Sequence, residues 1–253
     1  MPDLSSKFGQ RTVSPEQRQR LIRNVFRQVA TRYDLMNDLM SFGIHRVWKK
    51  VLANDMTRDP GTVVLDLAGG TGDVANLLAI DDDSQVIVCD PSLQMMLAGQ
   101  PRRFGQIQWL AGTAEAIPLA SGCIDMVAIA FGIRNVTQIE CALSEILRVL
   151  KPGGRFFCLE FSQPAVCIRP FYRWYSRFVI PRLGALVSGN RAAYQYLIES
   201  IRDFPEQDEL KSIVEQAGFV DVAYRNLSFG IACLHAGARP NPLKSTGRAS
   251  VSA

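Results

Sequence analysis

Apolar positions follow two alternating rhythms along this chain. Short unbroken apolar runs recur, and between them apolar residues fall at every third or fourth position. The run Val63-Val64-Leu65-Asp66-Leu67 predicts a buried strand, and Val74, Leu77 and Leu78 after it predict a helix. Gln85–Asp90, Ile107–Ala111, Cys123–Ala130 and Arg155–Glu160 predict four further strands. Met95, Met96 and Leu97 mark the core face of a helix opened by Pro91 and Ser92. Leu143, Ile146, Leu147 and Leu150 mark another, stopped by Lys151-Pro152-Gly153-Gly154. Strand and helix in repeated alternation predict an α/β fold with a doubly wound, mostly parallel sheet. Val220–Leu227 and Ile231–Ala236, flanking Ser228-Phe229-Gly230, predict an antiparallel hairpin at its edge, which makes seven strands.

The two ends follow a different pattern. Residues 1–13 are polar and predict a flexible arm. Ser14-Pro15-Glu16-Gln17 is a helix start, followed by the apolar face Leu21, Ile22, Val25, Phe26 and Val29. The segment around Tyr33–Asp38 breaks that pattern. A second helix is expected from Ile44 to Asn54 with Val47, Trp48, Val51 and Leu52 on one face. Residues 14–60 thus form a helical cap ahead of a core at 61–236, with a helical insertion at 164–195. Residues 237–253 predict a disordered tail. Helices placed before the first core strand can fold over the carboxyl ends of the strands. Tyr33, Asp34, Asn37, Ser41 and His45 are therefore candidates to line a pocket, or else to cap helices and fix a turn.

The chemistry concentrates after Leu67. Gly69, Gly70 and Gly72 permit a tight turn and close backbone approach to a ligand. Asp73 stands where a helix N-cap is expected. Gly70-Thr71-Gly72-Asp73-Val74-Ala75 satisfies the dinucleotide fingerprint, with Asp90 at a suitable distance. Asp66 decides against it. A diphosphate wants backbone N–H groups, and a carboxylate just before the turn repels it. The sulfonium and ammonium of S-adenosylmethionine suit Asp66. Asp90, at a second strand end, can accept from both ribose hydroxyls, and the loop Gly112–Pro118 is placed for the adenine.

Composition narrows the classes. The chain has 253 residues, 47% hydrophobic and 21% charged, enough for one well-buried core. A net charge of +4 does not call for nucleic acid. The six cysteines lack CxxC spacing and mostly sit in or beside apolar runs, which predicts reduced thiols in a cytoplasmic setting. No signal peptide or membrane span is expected. No metal site is indicated. Of the two histidines, His235 is expected to be structural.

Several segments together resemble the class I methyltransferases, and among them the ubiquinone/menaquinone biosynthesis C-methyltransferases. They are Tyr33–Lys49, Leu65–Asp73, Phe131-Gly-Ile-Arg-Asn-Val136, Arg148–Gly154 with Leu159–Ser162, and Tyr196–Arg202. The resemblance implies S-adenosylmethionine-dependent methylation of a ring carbon of a polyprenylated benzoquinol or naphthoquinol. It places cofactor contacts on Thr71, Asp90, Thr113 and Ala114, beside Asp66 and the three glycines. The chain departs from the family at Thr113, often Asn or Asp there, and at Ala130, often Ser. An aromatic carbon attacks a methyl only once a ring hydroxyl is ionised. The site then needs a cation or donors at the phenolate oxygen, and a base or water for the ring proton. The resemblance puts Arg134 and Asn135 there, Arg134 as an electrostatic stabiliser rather than a base. On the substrate side the candidates are Tyr33, Asn37, His45, Phe131 and Tyr196.

A prenylated substrate also needs a route in. No acidic residue lies between Glu160 and Glu199. Within that span Arg169, Arg173 and Arg177 fall on one helical face, and Phe171, Trp174, Tyr175 and Phe178 on the other. Such a helix either lies on an anionic membrane surface, peripheral on its inner face, or packs its aromatics inward. Two other functions stay open: methylation of another lipid or small molecule, and a non-catalytic, cofactor-binding scaffold of a quinone-synthesis complex. A homodimer or larger complex is equally compatible with the sequence.

Overall fold

The computed structural model describes residues 7–8, 11–29, 37–38, 41–79, 84–100, 107–179, 182 and 191–242. Two short strands come first, β1 (Lys7–Phe8) and β2 (Arg11–Thr12). Seven more follow: β3 (Val63–Leu67), β4 (Gln85–Asp90), β5 (Ile107–Ala111), β6 (Ile124–Ala130), β7 (Leu150–Phe161), β8 (Val220–Leu227) and β9 (Ala232–Ala238). These seven form the central sheet, in the order β5-β4-β3-β6-β7-β9-β8. β5 through β7 run parallel, and β9 pairs antiparallel with both β7 and β8.

Strand alternation divides the core. Val64, Val88, Ala128 and Leu159 pack on one face, Leu65, Leu67, Cys89, Ile129 and Cys158 on the other. The helix α1 (Pro15–Val29) packs near α4 (Leu93–Gly99). The first face of the sheet is covered by the helices α2 (His45–Asp55), α3 (Asp73–Leu78) and α7 (Arg191–Arg202). The second is covered by α5 (Ile139–Val149) and α8 (Gln207–Gln216). Asp66 lies between Leu65 and Leu67, so its side chain leaves the sheet on the Val64 side, toward α3.

The chain order around the sheet reverses between β3 and β6, and parallel sheets open a ligand crevice at the carboxyl ends of strands at such a point. Both strand ends there carry a non-glycine residue in left-handed conformation: Ala68 (φ 53°) after β3 and Phe131 (φ 56°) after β6. Strain of this kind persists where surrounding structure over-determines it. The two turns touch, since a Cβ built on Gly132 would lie 2.8 Å from that of Ala68.

Several expectations change. β1 and β2, placed in a flexible arm, pair as a short antiparallel hairpin. Val47, expected on a buried face, is 57% exposed, and the buried face of α2 is His45, Trp48, Lys49 and Leu52. Leu97 is likewise exposed, whereas Met95 and Met96 are buried. Gly72, left-handed at φ 75°, takes the N-cap place given to Asp73, which begins the helix. β7 starts at Leu150 and crosses Gly153 at φ 78° with a shift in register, so it is longer than the run Arg155–Glu160 implied. β9 continues to Ala238, into the segment assigned to a tail. Residues 243–253 lie outside the described residues. The insertion forms α6 (Arg169–Trp174) and a π-helical turn, Tyr175–Val179.

Candidate active site

A glycine turn, two carboxylates and a short 3-10 turn meet at the carboxyl ends of β3, β4 and β6. Asp66 is buried. Its Oδ2 accepts the Ala75 amide at 3.0 Å, while Oδ1 has no partner. Burial pushes its carboxyl up to about 7, against the pull of the Ala75 N–H and the Lys49 charge. Gly69 cannot be larger, because its Cβ would stand 2.7 Å from Asp66 Oδ2. Gly72 faces the Trp109 ring, 2.8 Å from where its Cβ would be. Asp90 accepts Gly70 N–H through Oδ2 (2.9 Å) and Ser92 N–H through Oδ1 (2.7 Å), so the second strand end is tied to the glycine turn. Burial raises this carboxyl to about 6. Each oxygen keeps a lone pair for a further donor.

A cleft of about 860 Å³, counting its open mouth, lies over these groups. Gly70, Asp90, Thr113, Ala114, Phe131 and Asn135 line it, together with Ala68, Met95 and Gly132. Six of the residues singled out from the sequence are thus brought to one wall. Asp66, Gly69, Thr71 and Gly72 form the turn beside it. Thr71 donates to Asp73 Oδ1 at 3.3 Å, and Asp73 Oδ2 pairs with Lys49 Nζ at 2.8 Å. The opposite wall is α1, through Gln19, Ile22, Arg23 and Phe26, which the sequence had shown only as an amphipathic helix.

Arg134 and Asn135 sit on the 3-10 turn Ile133–Asn135 that follows β6. They differ in access. Asn135 faces the cleft, and its Oδ1 accepts the Tyr196 hydroxyl at 3.1 Å. Arg134 is buried behind it. Its Nη1 donates to Glu160 Oε1 at 2.5 Å and to Phe131 O at 2.8 Å, and its Nε and Nη2 have no partner. The sequence marks Glu160 only as part of the segment Leu159–Ser162. As the carboxylate near the end of β7 it repeats the placement of Asp66 and Asp90, a signal that could have marked it.

The N-terminal block is a second buried polar group. Ser41 donates to Asn37 O at 2.7 Å and accepts the His45 amide at 3.1 Å. The Asn37 side-chain amide is fully buried and unpartnered. His45 Nε2 lies 3.2 Å from Asp38 Oδ1 without hydrogen-bond alignment, and burial with the Lys49 charge lowers the ring to about 4. Neither Asn37 nor His45 lines the described cleft. Tyr33 lies outside the described residues. His235 lies outside the described cleft, and its Nε2 donates to Gln207 O at 2.9 Å. No cluster of metal-binding side chains occurs among the described residues.

The site suits a nucleoside ligand carrying a cation. An orphaned, buried carboxylate oxygen at the glycine turn matches an ammonium or sulfonium and mismatches a diphosphate. Comparison with known proteins agrees. Residues 11–239 match the ubiE/COQ5 methyltransferase family. A ubiquinone/menaquinone biosynthesis C-methyltransferase of Rubrivivax gelatinosus is 52% identical, covering 97% of this chain and 98% of its own. A mitochondrial 2-methoxy-6-polyprenyl-1,4-benzoquinol methylase of rice is 44% identical over 92% of this chain and 88% of its own. A Thermotoga maritima methyltransferase structure superposes with a TM-score of 0.63 at 19% identity, over 86% of this chain and 99% of that one, which shows the shared fold. The chain belongs to the ubiE/COQ5 methyltransferase family.

Proposed function

We propose that the cleft holds a polyprenylated quinol against the 3-10 turn, with Asn135 as its direct contact and Arg134 behind it. The activity is that of the family: S-adenosylmethionine-dependent C-methylation in ubiquinone/menaquinone biosynthesis. Bound S-adenosylmethionine supplies an electrophilic sulfonium methyl. Asp66 would hold its ammonium and Asp90 its ribose, with Thr113 and Ala114 at the adenine.

The chain's own task is to make the ring carbon a nucleophile. As the ring-oxygen charge flows into the ring, the new carbon–carbon bond forms. The methyl–sulfur bond breaks with its pair on sulfur, and a proton leaves the same ring carbon. Because Asn135 Oδ1 is committed to Tyr196, its Nδ2 is turned to donate. That amide holds only a long contact, 3.5 Å, to Phe131 O, which leaves an N–H for the phenolate oxygen. Arg134, its charge balanced by Glu160, keeps two unpartnered donor nitrogens behind it. Water is assigned the ring proton. His45, lowered to about 4, is too weak a base, and it does not line the cleft.

The observation that carries this reading is Asn135, the side-chain amide on the same cleft wall as Asp90. Asn135→Ala is expected to lower kcat about 100-fold, the usual cost of one oxyanion donor, with cofactor affinity kept within twofold. The assay uses labelled S-adenosylmethionine with a demethyl prenyl benzoquinol and a demethyl prenyl naphthoquinol, both reduced. Label on ring carbon of either supports the reading. No transfer to either, with cofactor shown to bind by calorimetry, overturns it.

A membrane-facing side fits the same substrate. Phe171, Trp174 and Phe178 are 62%, 55% and 43% exposed, while Tyr172 and Tyr175 turn inward. The expected apolar face therefore points outward at three of its four aromatics. Phe42, exposed, stacks on Tyr175 at 4.1 Å, and exposed Phe229 is joined through its carbonyl to Ala165 N–H, beside exposed Val166. Exposed Arg177 and Arg182 flank these groups. Aromatics rimmed by arginine suit an anionic bilayer, where each basic residue is worth about 1 kcal/mol. The chain is expected to sediment with anionic lipid vesicles. Phe171→Ser, Trp174→Ser and Phe178→Ser together are expected to weaken that at least about tenfold. Wild-type protein left in the supernatant rules the surface out. No helix among the described residues is long and apolar enough to cross a membrane.

A further inference from the structure

We propose that Arg18 is a positioning residue for methyl transfer, through which α1 sets the turn that carries Arg134 and Asn135. The proposal rests on the role given to that turn above.

Arg18 is a buried cation whose partners are mainly backbone carbonyls of the turn. Nη1 donates to Val136 O at 3.0 Å and Asn135 O at 3.3 Å, and Nη2 to Arg134 O at 3.2 Å. Nη1 also reaches Thr137 Oγ1 at 3.4 Å, and Nε donates to Lys7 O at 2.9 Å. Three successive carbonyls thus point at one guanidinium. They close a 3-10 turn, where the last carbonyls lack partners of their own and favour positive charge. Only a planar fork can span adjacent carbonyls in this way, and an ammonium presents a single point charge.

The position of Arg18 in the chain gives the contact a function. It stands one residue before Gln19, the first of the α1 residues on the cleft wall. The helix that closes the cleft is therefore pinned to the turn that works on the ring. A second tie arrives at the same amide. Lys7, held by Arg18, precedes Phe8, which stacks on Tyr196 at 4.4 Å, and the Tyr196 hydroxyl binds Asn135 Oδ1. Seating the N-terminal segment thus fixes the Asn135 backbone through Arg18 and its side chain through Tyr196. Cofactor carboxylates Asp66 and Asp90 touch neither tie, so cofactor binding and turn alignment are separable.

Arg18→Lys keeps charge and stem but loses the fork. Its kcat is expected to fall about 100-fold, the scale of a displacement near 1 Å, with cofactor affinity within twofold of wild type. Arg18→Ala should lose more, and millimolar guanidinium should restore part of its kcat where sodium chloride of equal ionic strength does not. Arg18→Lys with kcat within threefold of wild type overturns the proposal. So does a loss in both variants that only tracks the folded fraction, with no response to guanidinium. If Arg18→Ala does not fold, Arg18→Lys decides alone. Asn135→Ala in the same assay keeps the two readings apart: full turnover there would refute the role of the turn itself, whatever Arg18 does.

Discussion

Glu160→Ala is expected to lower the unfolding free energy by about 3–5 kcal/mol and to abolish methyl transfer with it. The side chains of Glu160 and Arg134 are 2% and 0% exposed, and they meet at 2.5 Å. Removing the carboxylate leaves a buried guanidinium charge without its counter-ion. It also strips an acceptor from the Phe161 amide, which Glu160 Oε1 receives at 2.9 Å. The Phe161 ring, 5.5 Å from the guanidinium carbon, offers Arg134 only a weak substitute. The informative companion is the double variant Arg134→Leu with Glu160→Leu. Taking both charges out together should recover much of the stability, since a buried pair rarely beats apolar packing. Activity should stay lost. Urea unfolding and the methyl-transfer assay on the three proteins check this. A single Glu160→Ala protein within 1 kcal/mol of wild type would refute the buried-pair account.

Asp66→Asn should move stability and cofactor binding in opposite directions. In the folded chain the Asp66 carboxyl sits at about 7, against about 3.9 when unfolded. A raised acid favours folding below its unfolded value, and that advantage is lost as pH climbs toward the folded value. The cofactor-free protein therefore sheds stability between pH 4 and 7, on the order of 4 kcal/mol from this group. Asp90, raised to about 6, acts in the same direction. The amide of Asp66→Asn cannot ionise, so at pH 8 the cofactor-free variant should melt higher than wild type, with a flatter pH profile. Its affinity for S-adenosylmethionine should fall about 10- to 100-fold, the worth of one charge-assisted contact. Wild-type affinity should drop about tenfold per pH unit below 7, as the carboxyl takes up its proton. Calorimetry in two buffers of different ionisation enthalpy would show the proton released on binding. Wild-type affinity that is flat from pH 8 to 5.5 would contradict the assignment.

Much of this site was legible because its parts are strand ends. Asp66 is the penultimate residue of β3 and Asp90 the last of β4, and a parallel sheet brings such ends together at the point where strand order reverses. The glycines were legible for the same reason, since turns at that edge need close approach. What was not legible depends on contacts far apart in sequence. Arg18 and the turn it grips are more than a hundred residues apart, and nothing in the composition of α1 sets Arg18 aside from Arg20, Arg23 and Arg27. The Arg134–Glu160 pair was hidden because each residue alone suits a surface or a substrate role. Periodicity misplaced Val47 because it registers amphipathicity without saying which neighbour is there to cover it.

The contact between Gly132 and Ala68 acts as a spacer of fixed length. On the proposed reading the methyl donor lies on one side of it and the acceptor on the other. In-line displacement tolerates little change in the distance between the reacting atoms, and a close-packed junction of two strained turns leaves none to adjust. Divergence toward a new acceptor is then expected in the cleft wall that does not bear on the spacer, α1. Descendants of this fold can change the ring substituents and tail they accept while inheriting the reaction distance unaltered.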